Sequence, residues 1–198
     1  MRRTALLLLA AVAATPAWAA PRTSVVLDSG WSMRIDPADT AAAKAHPRAA
    51  RWLRATVPGS AQTDLMAAKI VPDPYKGLNE AKIQWVGLTD WQYRTTLKMT
   101  SDQLARDHVD LVFDGLDTFA EVRLNGTKLL AADNAHRRWR VPVKAVLKPG
   151  ANDLLVTFRS PIRTLQPMVL KTANPLPGEY DLDVRRRADG QADLALYP

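Results

Sequence analysis

"FDGLDTFAEVRLNG", residues 113–126, decides the fold. In its second half Ala120, Val122 and Leu124 alternate with Phe119, Glu121 and Arg123. A period of two sends one set into a core and the other to the opposite face of a strand. Asn125-Gly126 follows, and both residues tolerate the positive φ of a type I′ turn, so the strand is expected to fold back as a hairpin. In the first half, Val109, Leu111 and Phe113 repeat the alternation, and Asp114 and Asp117 flank a Gly-Leu turn. Short acids at such places hydrogen-bond to nearby backbone.

The same pattern spreads outward. Trp91, Tyr93, Thr95, Leu97 and Met99 alternate with Gln92, Arg94, Thr96 and Lys98. Asn152 to Ser160, "NDLLVTFRS", is a further strand entered through Pro149-Gly150. Ser24 to Ile35 reads as two strands about a Ser29-Gly30 turn. Ser60 is placed to cap a helix reaching about Ala68, while Asp36–Ala50, between Pro37 and Pro47, is a loose insertion or a short helix. Pro72-Asp73-Pro74 forces a turning path. Six or more short strands with one or two short helices predict an all-β, antiparallel β-sandwich.

The chain has 198 residues, no Cys and a formal charge of +7. Arg2 and Arg3 precede the apolar run "ALLLLAAVAA", then come Pro16 and "AWA". That order predicts a secretory signal peptide over residues 1–19 and a periplasmic or secreted product. The run is short for a bilayer and no second one follows, so no membrane role is expected after cleavage. Cleavage leaves 25 basic and 20 acidic residues, a formal +5. Without Cys, stability rests on core packing. Arg137, Arg138 and Arg140 surround Trp139, a mixture able to bind nucleic acid, but an exported chain rarely meets any, and a solvated face accounts for the cluster.

Nucleophile elbows, phosphate loops and paired metal-ligand spacings are absent from the sequence. No catalytic residue, metal ligand or cofactor is therefore assigned. His46, His108 and His136 read as solvated loop residues. Retaining glycosidases need two carboxylates roughly 5 Å apart, yet the chain has three Glu, at positions 80, 121 and 179, and spacing creates no pair among them. The stretch "DPYKGLNEAKIQWVGLTDWQYR" mixes stacking surfaces with hydrogen-bonding groups, as sugar sites do. Asn79, Glu80, Trp85 and Asp90 are the candidate substrate-binding residues. The alternatives are a plain loop role for Asn79 and Glu80, and a loop-sealing role for Trp85.

"WLRATVPGSAQTDL" (52–65), "IVPDPYKGLNE" (70–80), "DWQYRTTL" (90–97) and "FDGLDTFAEVRLNG" stand in this order along the chain. Together they resemble the N-terminal domain of family 2 glycoside hydrolases, and within it the β-mannosidases. The resemblance runs from about Val25 to Tyr180. It implies a galactose-binding-like jelly roll over residues 24–180 that packs beside an immunoglobulin-like domain and a (β/α)₈ barrel. The barrel would carry both catalytic Glu residues and would release terminal β-D-mannose from a β-mannoside or manno-oligosaccharide. Neither of those Glu residues maps onto this sequence. "NPLPGEY" (174–180) is present, but the Gly-Trp-Asp-Trp-Gly-Pro loop of the family is replaced by "DLDVRRRADGQADLALYP". Residues 181–198 are accordingly expected to form a divergent, disordered tail, left by truncation or a frame shift.

Overall fold

The computed structural model describes residues 22–171, 184–186 and 192–194. The segment read as a signal peptide and the "NPLPGEY" motif lie outside the described residues. So does most of the tail, of which Val184–Arg186 (β9) and Ala192–Leu194 (β10) form a short antiparallel ladder.

Alternating residues make the main sheet. It contains Ser32–Ile35 (β1), Leu53–Arg54 (β2), Trp91–Met99 (β3), Phe119–Leu124 (β5), Thr127–Ala132 (β6) and Gly150–Arg159 (β8), ordered β2-β1-β3-β8-β5-β6 and antiparallel throughout. Asp110–Phe113 (β4) and Trp139–Pro142 (β7) pair as a second, two-stranded sheet. Met33, Ile35, Val122, Leu124 and Leu154 are fully buried on the inner face of the large sheet. Leu111 of β4 and Val143 just beyond β7 belong to the same apolar cluster, so the two sheets share one core. Each such side chain contributes about 1.5–3 kcal/mol by leaving water.

The first of the two strands expected in Ser24–Ile35 is absent. Residues 22–28 have no regular structure, and Val25 and Val26 are largely exposed. Their apolar, β-branched character suits a strand, but β1 already has a strand on each side and offers them no edge. Helix is richer than expected. Thr40–Ala45 (α1) and Ala61–Ala67 (α2) occupy the two anticipated places, and Ser60 caps α2 in a reciprocal capping box with Thr63. Asn79–Ile83 (α3), Ser101–Leu104 (α4) and Pro161–Lys171 (α5) are additional.

The opening stretch now has a physical account. Asn125 and Gly126 take φ of +51° and +82°, the left-handed turn that joins β5 to β6. A register shift between Val122 and Arg123 bends that hairpin. Gly115 passes so close to the Ala135 carbonyl that a Cβ would sit 2.9 Å from its oxygen. The turn residue Asn125 also reaches across the fold. Its amide nitrogen donates to the Val146 carbonyl (2.9 Å) and to Asn152 Oδ1 (2.8 Å), while its oxygen accepts from Asp153 N (3.0 Å). Asn152, wholly buried, also accepts from Lys148 N and donates to the carbonyls of Lys148 and Gly150.

Buried amides leave donors stranded when one partner goes. Asn152→Ala should therefore lower the unfolding free energy by roughly 3 kcal/mol. Urea titration checks this, with a lower midpoint at an unchanged slope as the expected outcome.

Candidate functional site

The four candidate residues lie along one continuous piece of chain but meet different partners. Asn79 opens α3; its side chain donates to the Asp73 carbonyl (3.0 Å) and accepts from Lys82 Nζ (3.1 Å). Glu80, the next residue, is exposed, and its carbonyl oxygen accepts from Gln84 Nε2. Just before them the Pro-Asp-Pro turn presents Tyr75 and Leu78 almost completely to solvent, at 96% and 85% exposure.

Trp85 sits in the 3-10 turn Gln84–Val86. His46 stacks on its ring at 3.6 Å between centroids and 12° between planes, and Trp91 lies tilted at 6.0 Å. His46 is therefore no solvated loop residue. It ends α1 against an indole, and burial pushes its imidazole below the ordinary value. Trp91 is buried, and its Nε1 donates to the Val86 carbonyl.

Asp90 is the centre of a different structure. It precedes β3 and is buried. Its Oδ1 accepts from Ser160 N (2.7 Å) and Arg163 Nη2 (2.7 Å), and its Oδ2 from Arg159 Nη1 (2.9 Å). Arg159 also reaches Asp36 Oδ2 (3.0 Å), and Arg163 reaches Asp39 Oδ2 (2.7 Å). Asp39 in turn accepts from Asp90 N and, through Oδ1, caps α1 at Ala42 N. Three acids and two arginines thus tie the entry to α1, the start of β3 and the junction of β8 with α5.

Burial alone would raise the Asp90 carboxyl, but hydrogen bonds from Ser160 N, Arg163 and Arg159 outweigh it and hold it below the ordinary value. A general acid needs the opposite shift, so this cluster fits chain fastening. The acids of the opening stretch are engaged too. Glu121 pairs with Arg123 (2.7 Å) and Lys128 (2.9 Å), Asp114 with Arg138 (2.9 Å), and Asp117 accepts from the Thr118 hydroxyl. Hydrogen bonds from Lys128 and Arg123 keep the Glu121 carboxyl low. Trp139 is covered by the Arg137 guanidinium at 4.1 Å. Among the described residues no three His, Asp or Glu side chains converge as metal ligands, and no helix is long and apolar enough to cross a membrane.

Arg159, Arg163, Asp36 and Asp39 were missed by sequence reasoning. The one available signal was Ser160-Pro161, a cap residue followed by the proline favoured at the first helical position. It marks a helix after β8 that would carry Arg163 back toward the sheet.

Residues 31–190 match the model of the glycosyl hydrolase 2 galactose-binding domain-like family. β-Mannosidase B of Thermothelomyces thermophilus is 37% identical over 169 residues, which is 85% of this chain and 19% of that protein. The β-mannosidase of Bos taurus is 36% identical over 110 residues, 56% of this chain and 12% of the relative. Among solved structures, the β-D-mannosidase of Dictyoglomus thermophilum superposes with a TM-score of 0.67 and 34% identity, covering 78% of this chain and 18% of that one. The chain belongs to the glycosyl hydrolase 2 galactose-binding domain-like family. It is similar to the N-terminal domain of β-mannosidase-type proteins, and spans about a fifth or less of their length.

Because the folded Asp90 carboxyl is held below its unfolded value, its stabilisation is full above about pH 4 and is lost as pH falls through the folded value. Asp90→Asn should cost roughly 2 kcal/mol at pH 7, discounted for the solvent reaching both arginines. The variant should also flatten the acid decline of the urea midpoint below pH 4; an unchanged acid limb would show that other carboxylates control it.

Proposed function

We propose that this chain is the accessory galactose-binding-like domain of a β-mannosidase-type glycoside hydrolase. The parent enzyme removes terminal non-reducing β-D-mannose by the retaining two-carboxylate mechanism, in which one carboxylate attacks the sugar and the other moves the proton. The observation that carries this reading is 37% identity to a β-mannosidase across 85% of the chain. In the parent, an immunoglobulin-like domain and a (β/α)₈ barrel are its partners, and the barrel supplies both catalytic carboxylates. The domain's role is then to buttress the barrel and present the Tyr75–Trp85 segment toward the β-mannoside. The leader at residues 1–19 directs the product to the periplasm or the medium, and the sheets adopt the jelly-roll arrangement.

A second reading is supported by Tyr75, whose nearly full exposure is unusual for an aromatic residue and suits stacking on a sugar ring. On that reading the chain binds manno-oligosaccharides by itself.

The purified chain should release no nitrophenol from an aryl β-mannoside; turnover above a heat-killed control overturns the accessory reading. Calorimetric titration with manno-oligosaccharides separates the two. Heat that vanishes in Tyr75→Ala favours the binding module, and its absence in the unaltered chain leaves the accessory domain.

A further inference from the structure

The six-stranded sheet packs one face on the core and turns the other outward. On the outward face the antiparallel register sets Arg54, Ser32, Arg94, Leu155, Arg123 and Lys128 side by side, one from each strand. With neighbouring strands 4.7–4.9 Å apart, that row is about 24 Å long. Four of its six positions are basic, and the other two are the small Ser32 and the apolar Leu155. The adjoining row carries Arg34, Gln92, Thr157, Glu121 and Ala131.

The two halves of the strip differ in charge balance. At the β5–β6 end Glu121 pairs with both Arg123 and Lys128. At the β2–β1–β3 end Arg34 and Arg94 both lie over the Trp52 ring, at 4.2 and 4.0 Å. Arg34 donates twice to the neutral Gln92 Oε1 (3.1 and 3.0 Å). Among the described residues none of Arg34, Arg54 and Arg94 is in an ion pair. Asp36, whose charge acts on Arg34, is bonded to Arg159, Ala38 N and Gln92. Asp28 lines the cleft beside Arg54 without an ion pair to it. Burial lowers the Arg34 guanidinium, the charge of Arg94 lowers it further, and Asp36 opposes both. Most other arginines on these sheets and α5 have a carboxylate partner; among the described residues these three have none, and two of them, Arg34 and Arg94, share one indole.

We propose that this strip binds a linear polyuronate, a polysaccharide with a carboxylate on each sugar, whose successive carboxylates are taken by Arg94 and Arg54. The guanidinium fork matches a carboxylate in two parallel hydrogen bonds. Two cations free of carboxylates and two strands apart match a polymer with repeated charge, and membership of a glycosyl hydrolase family puts polysaccharide in reach of them. Nucleic acid fits poorly, because stacking a base needs a free aromatic face and Trp52 is already covered by guanidinium. None of the residues that carry it, Arg34, Arg54 and Arg94, belongs to the Tyr75–Trp85 segment, so this inference stands or falls separately from the proposed function.

The full chain is titrated with oligomannuronate in low-salt buffer, and with a neutral manno-oligosaccharide of equal length. Saturable binding of the uronate that weakens with salt is expected, with the neutral sugar at least tenfold weaker on the scale of one lost ionic contact. Arg54→Ala and Arg94→Ala should each weaken binding by about tenfold. Arg54 is exposed and in no ion pair among the described residues, so its variant keeps the fold even if Arg94→Ala does not. Arg137→Ala, beside the second sheet, should bind as the unaltered chain does. No saturable binding, equal affinity for the neutral sugar or for poly-glutamate, or a loss in Arg137→Ala matching that in Arg54→Ala each overturns the proposal.

Discussion

The Asp90 carboxylate, bridged by Arg159 and Arg163, is the contact on which the arrangement of this domain depends. It receives a backbone N–H from Ser160 as well as both guanidiniums, so two chain segments about seventy residues apart meet at one side chain. Asp36 and Asp39 extend the same knot to the entry of α1. A buried carboxylate is costly alone and tolerable when every lone pair has a donor. Here the donors come from the end of β8 and the first turn of α5, which fixes how the helix leaves the sheet. The Ser160 hydroxyl adds to this by donating to the Gly87 carbonyl and accepting from Arg163 N.

With that corner fixed, the aromatic segment before β3 has little freedom. Thr89 Oγ1 donates to the Trp85 carbonyl, and Trp91 holds Val86. Trp85 is caught between His46 and Trp91. The residues left outward are Tyr75, Leu78 and Glu80, which the rigid part of the fold carries at its surface. Recognition side chains commonly occupy such loops on a fixed scaffold. The acids of "FDGLDTFAEVRLNG" have no comparable liberty, because Glu121 is spent on two cations and Asp117 on its neighbour's hydroxyl. They dress a sheet whose inner side is apolar.

Much of the sheet was legible because the relevant physics is local. Alternation over Trp91–Met99, Phe119–Leu124 and Gly150–Arg159 needs only a pleated strand with one wet face, and Asn125-Gly126 needs only a left-handed turn. Ser60 could be read as a cap from its side-chain oxygen and position. The Val25–Val26 strand failed for the complementary reason. Apolar, β-branched residues fit a strand anywhere, but whether a sheet edge is open to receive them is a property of the assembled sheet. α3 escaped notice because Asn79 and Glu80 follow a Pro-Asp-Pro turn and lack a side-chain cap. At the candidate site, the sequence could mark Asp90 as a hydrogen-bonding acid beside aromatics, but nothing local assigns it Arg159 and Arg163.

The sequence by itself determined the class of the fold, the inward set of each long strand and the family, since these follow from periodicity, turn chemistry and four motifs in fixed order. Only the tertiary structure decided what the polar residues do. Strand order and register place residues 54, 94, 123 and 128 in one row and set residues 36, 39, 90, 159 and 163 in one ionic knot. A hydrophobic pattern is written in spacing along the chain, because burial needs only a face. The partner of a charge is written in distance through space, and that distance exists only once the strands have paired.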